Sequence, residues 1–130
     1  MVSTAQQEYL ELITILKDLA VQGGYTLAVI TDQNGLPIAS SDIDQQVSEA
    51  QSAVVAQVQN VVLRALGHLS MSAPEEIVLN DIDGRKLVCR QFFCGDAAVV
   101  YLAVLVPNRT KSYRKLMNQA IRSIQKVWVV

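Results

Sequence analysis

The sequence predicts an α/β (α+β) fold: a three-layer α/β/α sandwich around a five-stranded antiparallel sheet, with elements in the order α-β-β-α-β-β-β-α. Three observations carry this. Asp83-Gly84 lies between two β-rich runs, and both residues tolerate the positive φ of a type I′ hairpin turn. Ala97–Val106 is apolar without a break, where a half-buried strand would alternate, so both its faces expect cover. Three further segments, one at each end and one in the middle, repeat apolar residues at helical spacing.

The first helix runs from Thr4 to about Gln22. Thr4 and Gln7 have the spacing of a capping box, and Tyr9, Leu12, Ile13, Leu16, Leu19 and Ala20 make one apolar stripe. Gly23-Gly24 ends it. Tyr25–Thr31, the turn Asp32-Gln33-Asn34-Gly35 and Leu36–Ser40 form a hairpin. Pro37 cannot donate to a ladder, so Leu36–Ser40 belongs at a sheet edge. Ser41 to Asp44 offer N-caps for a long middle helix ending at about Gly67. That helix carries two apolar lines. One is Val47, Ala50, Val54, Val58, Val61 and Ala65; the other is Val55, Val62, Leu66 and Leu69. Valine forms helix only modestly, so burial has to hold this segment. After a Gly67–Pro74 loop, Ile77–Ile82 starts a meander. A two-residue turn at Asp83-Gly84 pairs Ile82 with Arg85, Asp81 with Lys86, Asn80 with Leu87 and Leu79 with Val88. Gly95-Asp96 returns the chain into Ala97–Val106. Thr110 or Ser112 starts the last helix, which runs to about Trp128 with Tyr113, Leu116, Met117, Ala120, Ile121, Ile124 and Val127 toward the core. No linker, repeat or low-complexity stretch interrupts residues 1–130, which reads as one domain.

The hairpins join most simply if Ala97–Val106 pairs with Tyr25–Thr31. The edges are then Leu36–Ser40 and Ile77–Ile82, and the second lacks the proline or lysine that guards an edge. Five strands at about 4.8 Å span roughly 24 Å, whereas one helix covers about 10 Å. The first and last helices suffice for one face; the middle helix alone does not cover the other. A second copy resolves both problems by pairing the two Ile77–Ile82 edges and laying two middle helices side by side. A homodimer is expected, with Val54, Val58, Val61, Val62, Ala65, Ile77, Val78, Leu79 and Ile82 at its interface.

Composition narrows the function. With 130 residues, 51% hydrophobic and 18% charged, the chain is rich in core formers. A net charge of 11 − 12 = −1 argues against nucleic-acid binding. No basic region precedes an apolar stretch at the N-terminus, and no apolar run is long enough to span a membrane, so a cytoplasmic protein with reduced thiols is expected. Cys89 and Cys94 lie on one strand, roughly 16 Å apart, beyond disulfide reach. No Walker loop, Gly-x-Gly-x-x-Gly, Cys-x-x-Cys or His-Glu-x-x-His occurs. His68 reads as a solvated helix-end imidazole, the cysteines as packed side chains, and Asp32, Asp42 and Asp44 as turn and cap residues. No catalytic, cofactor-binding or metal-binding residue is expected. One asymmetry stands out. Residues 1–49 hold seven acids against Lys17, while 109–130 hold Arg109, Lys111, Arg114, Lys115, Arg122 and Lys126 with no acid. Either the end helices attract each other, or the last helix offers a basic face to an acidic partner. Trp128 beside Lys126 also admits weak membrane-surface contact.

The hairpin Val29-Ile30-Thr31-Asp32-Gln33-Asn34-Gly35-Leu36-Pro37-Ile38-Ala39-Ser40 resembles the first hairpin of the roadblock (dynein light chain) family, and the element order matches along the chain. The resemblance implies a profilin-like sandwich that dimerises through the middle helix and the strand after it. It further implies a non-enzymatic regulator or scaffold for a small Ras-like GTPase or a motor or motility complex. Gln51, Gln57, Gln59, Asn60 and Arg64, read as the outer polar positions of the middle helix, are the candidate partner contacts. The competing reading is a small-ligand sensor, for which Arg90 and Tyr101, cross-strand neighbours in the register above, are the candidate polar pair.

Overall fold

The computed structural model describes residues 4–42, 44–95, 98–108 and 111–128. Its elements are α1 (Thr4–Gly23), β1 (Leu27–Asp32), β2 (Pro37–Ser40), α2 (Gln45–His68), β3 (Glu76–Asn80), β4 (Lys86–Cys94), β5 (Ala98–Val106) and α3 (Arg114–Val127). All strand pairs are antiparallel, in the order β2-β1-β5-β4-β3. The unbroken apolar strand is therefore central and the Pro37 strand an edge, as expected. Alternation along each strand divides two cores. Ala28, Ile30, Val88, Leu102, Val104 and Val106 face α1 and α3, meeting Leu16, Met117 and Ile124. Leu27, Val29, Cys89, Tyr101 and Ala103 face α2, which contributes Val55.

Helix α1 ends as the two glycines demand. Gly24 takes φ 66, Tyr25 N–H donates to Ala20 O at 2.8 Å, and Gly24 N–H to Val21 O at 3.3 Å, the two bonds of a Schellman stop. Helix α2 ends within one residue of Gly67. It continues to His68, and Ser70 takes the left-handed position with φ 58, while Met71 N–H donates to Leu66 O at 2.9 Å. Gly67 is thus an exposed residue of the last helical turn, and a Cβ added there meets nothing within 4 Å. Gly67→Ala should stabilise the chain by about 0.5–1 kcal/mol, read as a higher urea midpoint at unchanged slope. A lower midpoint would contradict this placement.

The second hairpin corrects the predicted register by one residue. Observed pairs are Asn80 with Lys86, Leu79 with Leu87, Val78 with Val88 and Ile77 with Cys89. Asp81 N–H donates to Arg85 O at 2.9 Å, leaving a three-residue loop, Ile82-Asp83-Gly84, with Gly84 at φ 90. The cause is Asp81. Its Oδ1 accepts the backbone N–H of Asp83 at 3.0 Å and of Arg85 at 2.7 Å, and its Oδ2 accepts from Arg85 Nε at 2.5 Å. The first hairpin has the same build. Asp32 Oδ1 accepts from Asn34 and Leu36, both at 2.9 Å, with Gly35 at φ 87. An aspartate that caps its own turn favours Asp-x-x-Gly with three loop residues over the two-residue type I′ turn.

At the last helix, Tyr113 occupies the N-cap position without a side-chain cap, so Ser112 does not start it. Thr110, together with Arg109, Asp96, Ala97 and the side chain of Thr4, lies outside the described residues.

Candidate functional site

Two apolar lines on α2 meet different fates. Of the second line, Val55 is buried and Val62 packs half-buried against the sheet core, while Leu69 at the helix end is exposed. Of the first line, Val58 alone turns half-buried to that core; Val47 is 38% exposed, Val54 51% and Val61 63%, with Ala50 and Ala65 also exposed. Such a row on one helix is an unusual use of valine unless something covers it. The inner face of α2 is partly polar. Ser48, Ser52 and Gln59 are buried against the sheet, and Ser52 Oγ and Gln51 Oε1 have no hydrogen-bond partner. Two of the five expected partner positions are not open to solvent as the sequence suggests. Gln59 is 3% exposed and Gln51 is half-buried, whereas Gln57, Asn60 and Arg64 face solvent. Helical phase explains this. Gln59 lies seven residues past Ser52 and three before Val62, on the side of the helix that meets the sheet.

The sheet face under α2 is incompletely covered. Helix α2 lies over β1 and β2, and beyond it Leu79 is 45% exposed and Phe93 55%, with Leu87, Val99 and Leu105 half-buried. The width of the sheet predicts too few helices for this face without naming these residues; every second position of β3, β4 and β5 identifies them. Of the expected interface strand, Ile77 is buried against the α2-side core, Val78 points to the α1/α3 side, and Leu79 is open. Ile82, 93% exposed, sits in the turn and not in the edge strand.

The polar pair of the ligand-sensor reading is not assembled. Arg90 pairs with Leu102 and Tyr101 with Gln91, which puts the two side chains on opposite faces of the sheet. Arg90 binds Asn118 and reaches Glu75 at 3.8 Å; Tyr101 is buried under α2, where loss of water raises its hydroxyl pKa.

The remaining candidates occupy turn, cap and helix-end positions. Asp44 caps α2 by accepting from Gln46 and Val47, and Asp42 accepts from Asp44 N–H at 2.9 Å. Among the described residues, no group of three or more His, Cys, Asp or Glu side chains gathers to hold a metal. His68 is the exposed last residue of α2. Trp128 packs half-buried on the α1/α3 core instead of projecting outward, and no described helix is long and apolar enough to cross a membrane.

Cys89 and Cys94 are free and buried, and burial pushes their thiols up from 9.0 to about 12 and about 11. Both should resist Ellman's reagent in the folded chain and react on unfolding. The sign of the pH effect follows. Stability is full below pH 9.0 and declines as the pH climbs toward 11 and 12, because only the unfolded chain ionises these thiols freely. Rapid labelling of the native chain at neutral pH would refute the burial.

No protein-family sequence model matches this chain, and no curated protein matches it by sequence. Solved structures do match. MglB of Myxococcus xanthus superposes with a TM-score of 0.73 at 16% identity, covering 98% of this chain and 92% of its own. A roadblock/LC7 domain from Streptomyces avermitilis gives 0.69 at 17%, over 88% and 92%. This chain has the roadblock fold. The gliding protein MglB of Thermus thermophilus gives 0.72 at 13%, over 93% and 90%. On its α2 side this chain leaves open, among the described residues, the valine row of α2, half of the face of β3–β5 and the β3 edge.

Proposed function

We propose that the chain works as a paired, non-catalytic module that holds a small Ras-like GTPase or a component of a motility complex. The observation that carries the pairing is the outward valine row, Val47, Val54 and Val61, next to a sheet face that leaves Leu79 and Phe93 open. A second copy placed across the β3 edge brings its own α2 over that half-face and buries both valine rows. The roadblock fold supports the regulatory part of the reading, since the first hairpin resembles that family and a structural match is itself a gliding protein. The partner contacts proposed are Gln57, Asn60 and Arg64, exposed on α2 beside the valine row, where one partner would touch both copies.

Light scattering at micromolar concentration should report twice the 14.3 kDa chain mass, and a monomer would sink the pairing. Partner choice is tested by capture of GTP- and GDP-loaded GTPases from the native cell on immobilised protein. Gln57→Arg with Asn60→Arg should weaken the captured complex at least about tenfold, while Arg114→Glu with Lys115→Glu leaves it nearly unchanged. The reverse pattern would move the partner to α3.

A further inference from the structure

The charge asymmetry of the sequence has a structural counterpart on the face away from α2. Helices α1 and α3 lie side by side, yet among the described residues no ion pair joins them; the ion pair of Arg114 runs to Glu76 on β3 instead. A groove lies between them. It consists of two clefts, about 460 Å³ and about 180 Å³, which share Ile15 and Ser123 and so run into one another. The first reaches from Leu10 beside Val127, the second to Gln22 beside Leu116. At 1.5 Å per residue, Leu10 to Gln22 spans roughly 18 Å.

The groove has an apolar floor and two charged walls of opposite sign. Ile15, Val127 and Leu10, 55% exposed, make an apolar floor at one end; toward the other, Ile15 and Leu116 continue it between the polar Gln22, Gln119 and Ser123. Glu11 and Asp18, seven residues apart on one side of α1, form the acidic wall. Lys126 lines the other wall, and Lys115 and Arg122, also seven apart, stand exposed directly outside it on α3. Neither wall is neutralised by the other.

We infer that this groove is a docking site for an amphipathic helix of a protein partner. The helix carries an apolar stripe for the floor, basic residues on the flank over α1 and acidic residues on the flank over α3. A helix fits because the groove is about three turns long and bounded by two helices that a third can pack between. Its two flanks must differ in charge because the two walls do. The groove lies on the face opposite α2, so its use is independent of pairing.

The probe is a fluorescein-labelled helical peptide of about 14 residues, with leucines at i, i+3, i+4 and i+7 spacing, lysines on one flank and glutamates on the other. It should bind once per chain, at least about tenfold tighter than versions with lysine on both flanks or glutamate on both. Affinity should fall with added salt. Leu10→Ser with Lys126→Glu, both at exposed positions, should weaken the mixed peptide at least about tenfold. Lys126→Glu alone should tighten the all-lysine peptide. The pairing variant Val54→Lys with Val61→Lys should bind the mixed peptide as the native chain does, which separates this site from the proposed function. No saturable binding up to millimolar peptide overturns the proposal. Equal binding of the all-glutamate peptide overturns it too, since α3 would then be a plain basic patch. So would binding to anionic phosphatidylglycerol vesicles that depends on Lys126 in place of peptide binding.

Discussion

Replacing Val54 and Val61 by lysine should leave a chain that folds as before and no longer pairs. Both side chains are more than half exposed in the single chain, at 51% and 63%, so lysine there meets solvent and disturbs no core contact. In a pair built on side-by-side α2 helices, the same positions would bring four ammonium groups into an apolar seam near the two-fold axis. Burying a charge without a partner costs several kcal/mol, and like charges add to it. The expected result is a shift in the dimer dissociation constant of at least about a thousandfold, some 4 kcal/mol. Sedimentation of native and variant chains at equal concentration reads it, and circular dichroism checks that helix content is retained. A variant that stays paired would place the interface elsewhere, and the β3 edge alone would be the next candidate. A variant that unfolds would mean that α2 stands only with its partner's help.

Gly35→Ala should be the most damaging single methyl group in the first hairpin. Gly35 holds φ 87 at the end of the Asp32 turn, a conformation that costs an L-residue roughly 1 kcal/mol or more. A Cβ there would sit 2.7 Å from Ala56 Cβ, with Ser52 O and Ala53 Cα close behind. Alanine has no flexible end to swing aside, so α2 itself must back away from the sheet. Strain and overpacking together should cost about 2–4 kcal/mol, against the gain expected for the same substitution at Gly67. Adding Ala56→Gly should recover the steric part and leave the backbone part, so the double-mutant cycle separates them. A loss below about 0.5 kcal/mol for Gly35→Ala would show that α2 rides loosely on the hairpin. Loose riding would also weaken the case for a rigid α2 surface as a partner site.

The sequence alone determined the element order, the antiparallel meander and the central place of Ala98–Val106. Each of these follows from local chemistry or from burial on both faces. An unbroken apolar strand has no polar side to turn to water, and Pro37 leaves its strand nowhere to go but an edge. It also revealed that α2 carries more apolar surface than one layer of sheet uses. What it did not determine is which valine line meets the sheet. The phase of a helix around its axis is decided by contacts with β1 and with the Gly35 turn, far away in the chain. Those contacts turned Gln59, Ser48 and Ser52 inward and left Val54 and Val61 out, against the polar-out pattern that periodicity favours. The hairpin register likewise escaped, because Asp81 has a second option that a pattern of strand and turn residues does not weigh: its own carboxylate closes a three-residue loop. The walls of the α1/α3 groove could be listed by charge from the sequence. Only the packing of the two helices at a distance that leaves the acids and bases unpaired turned that list into a surface.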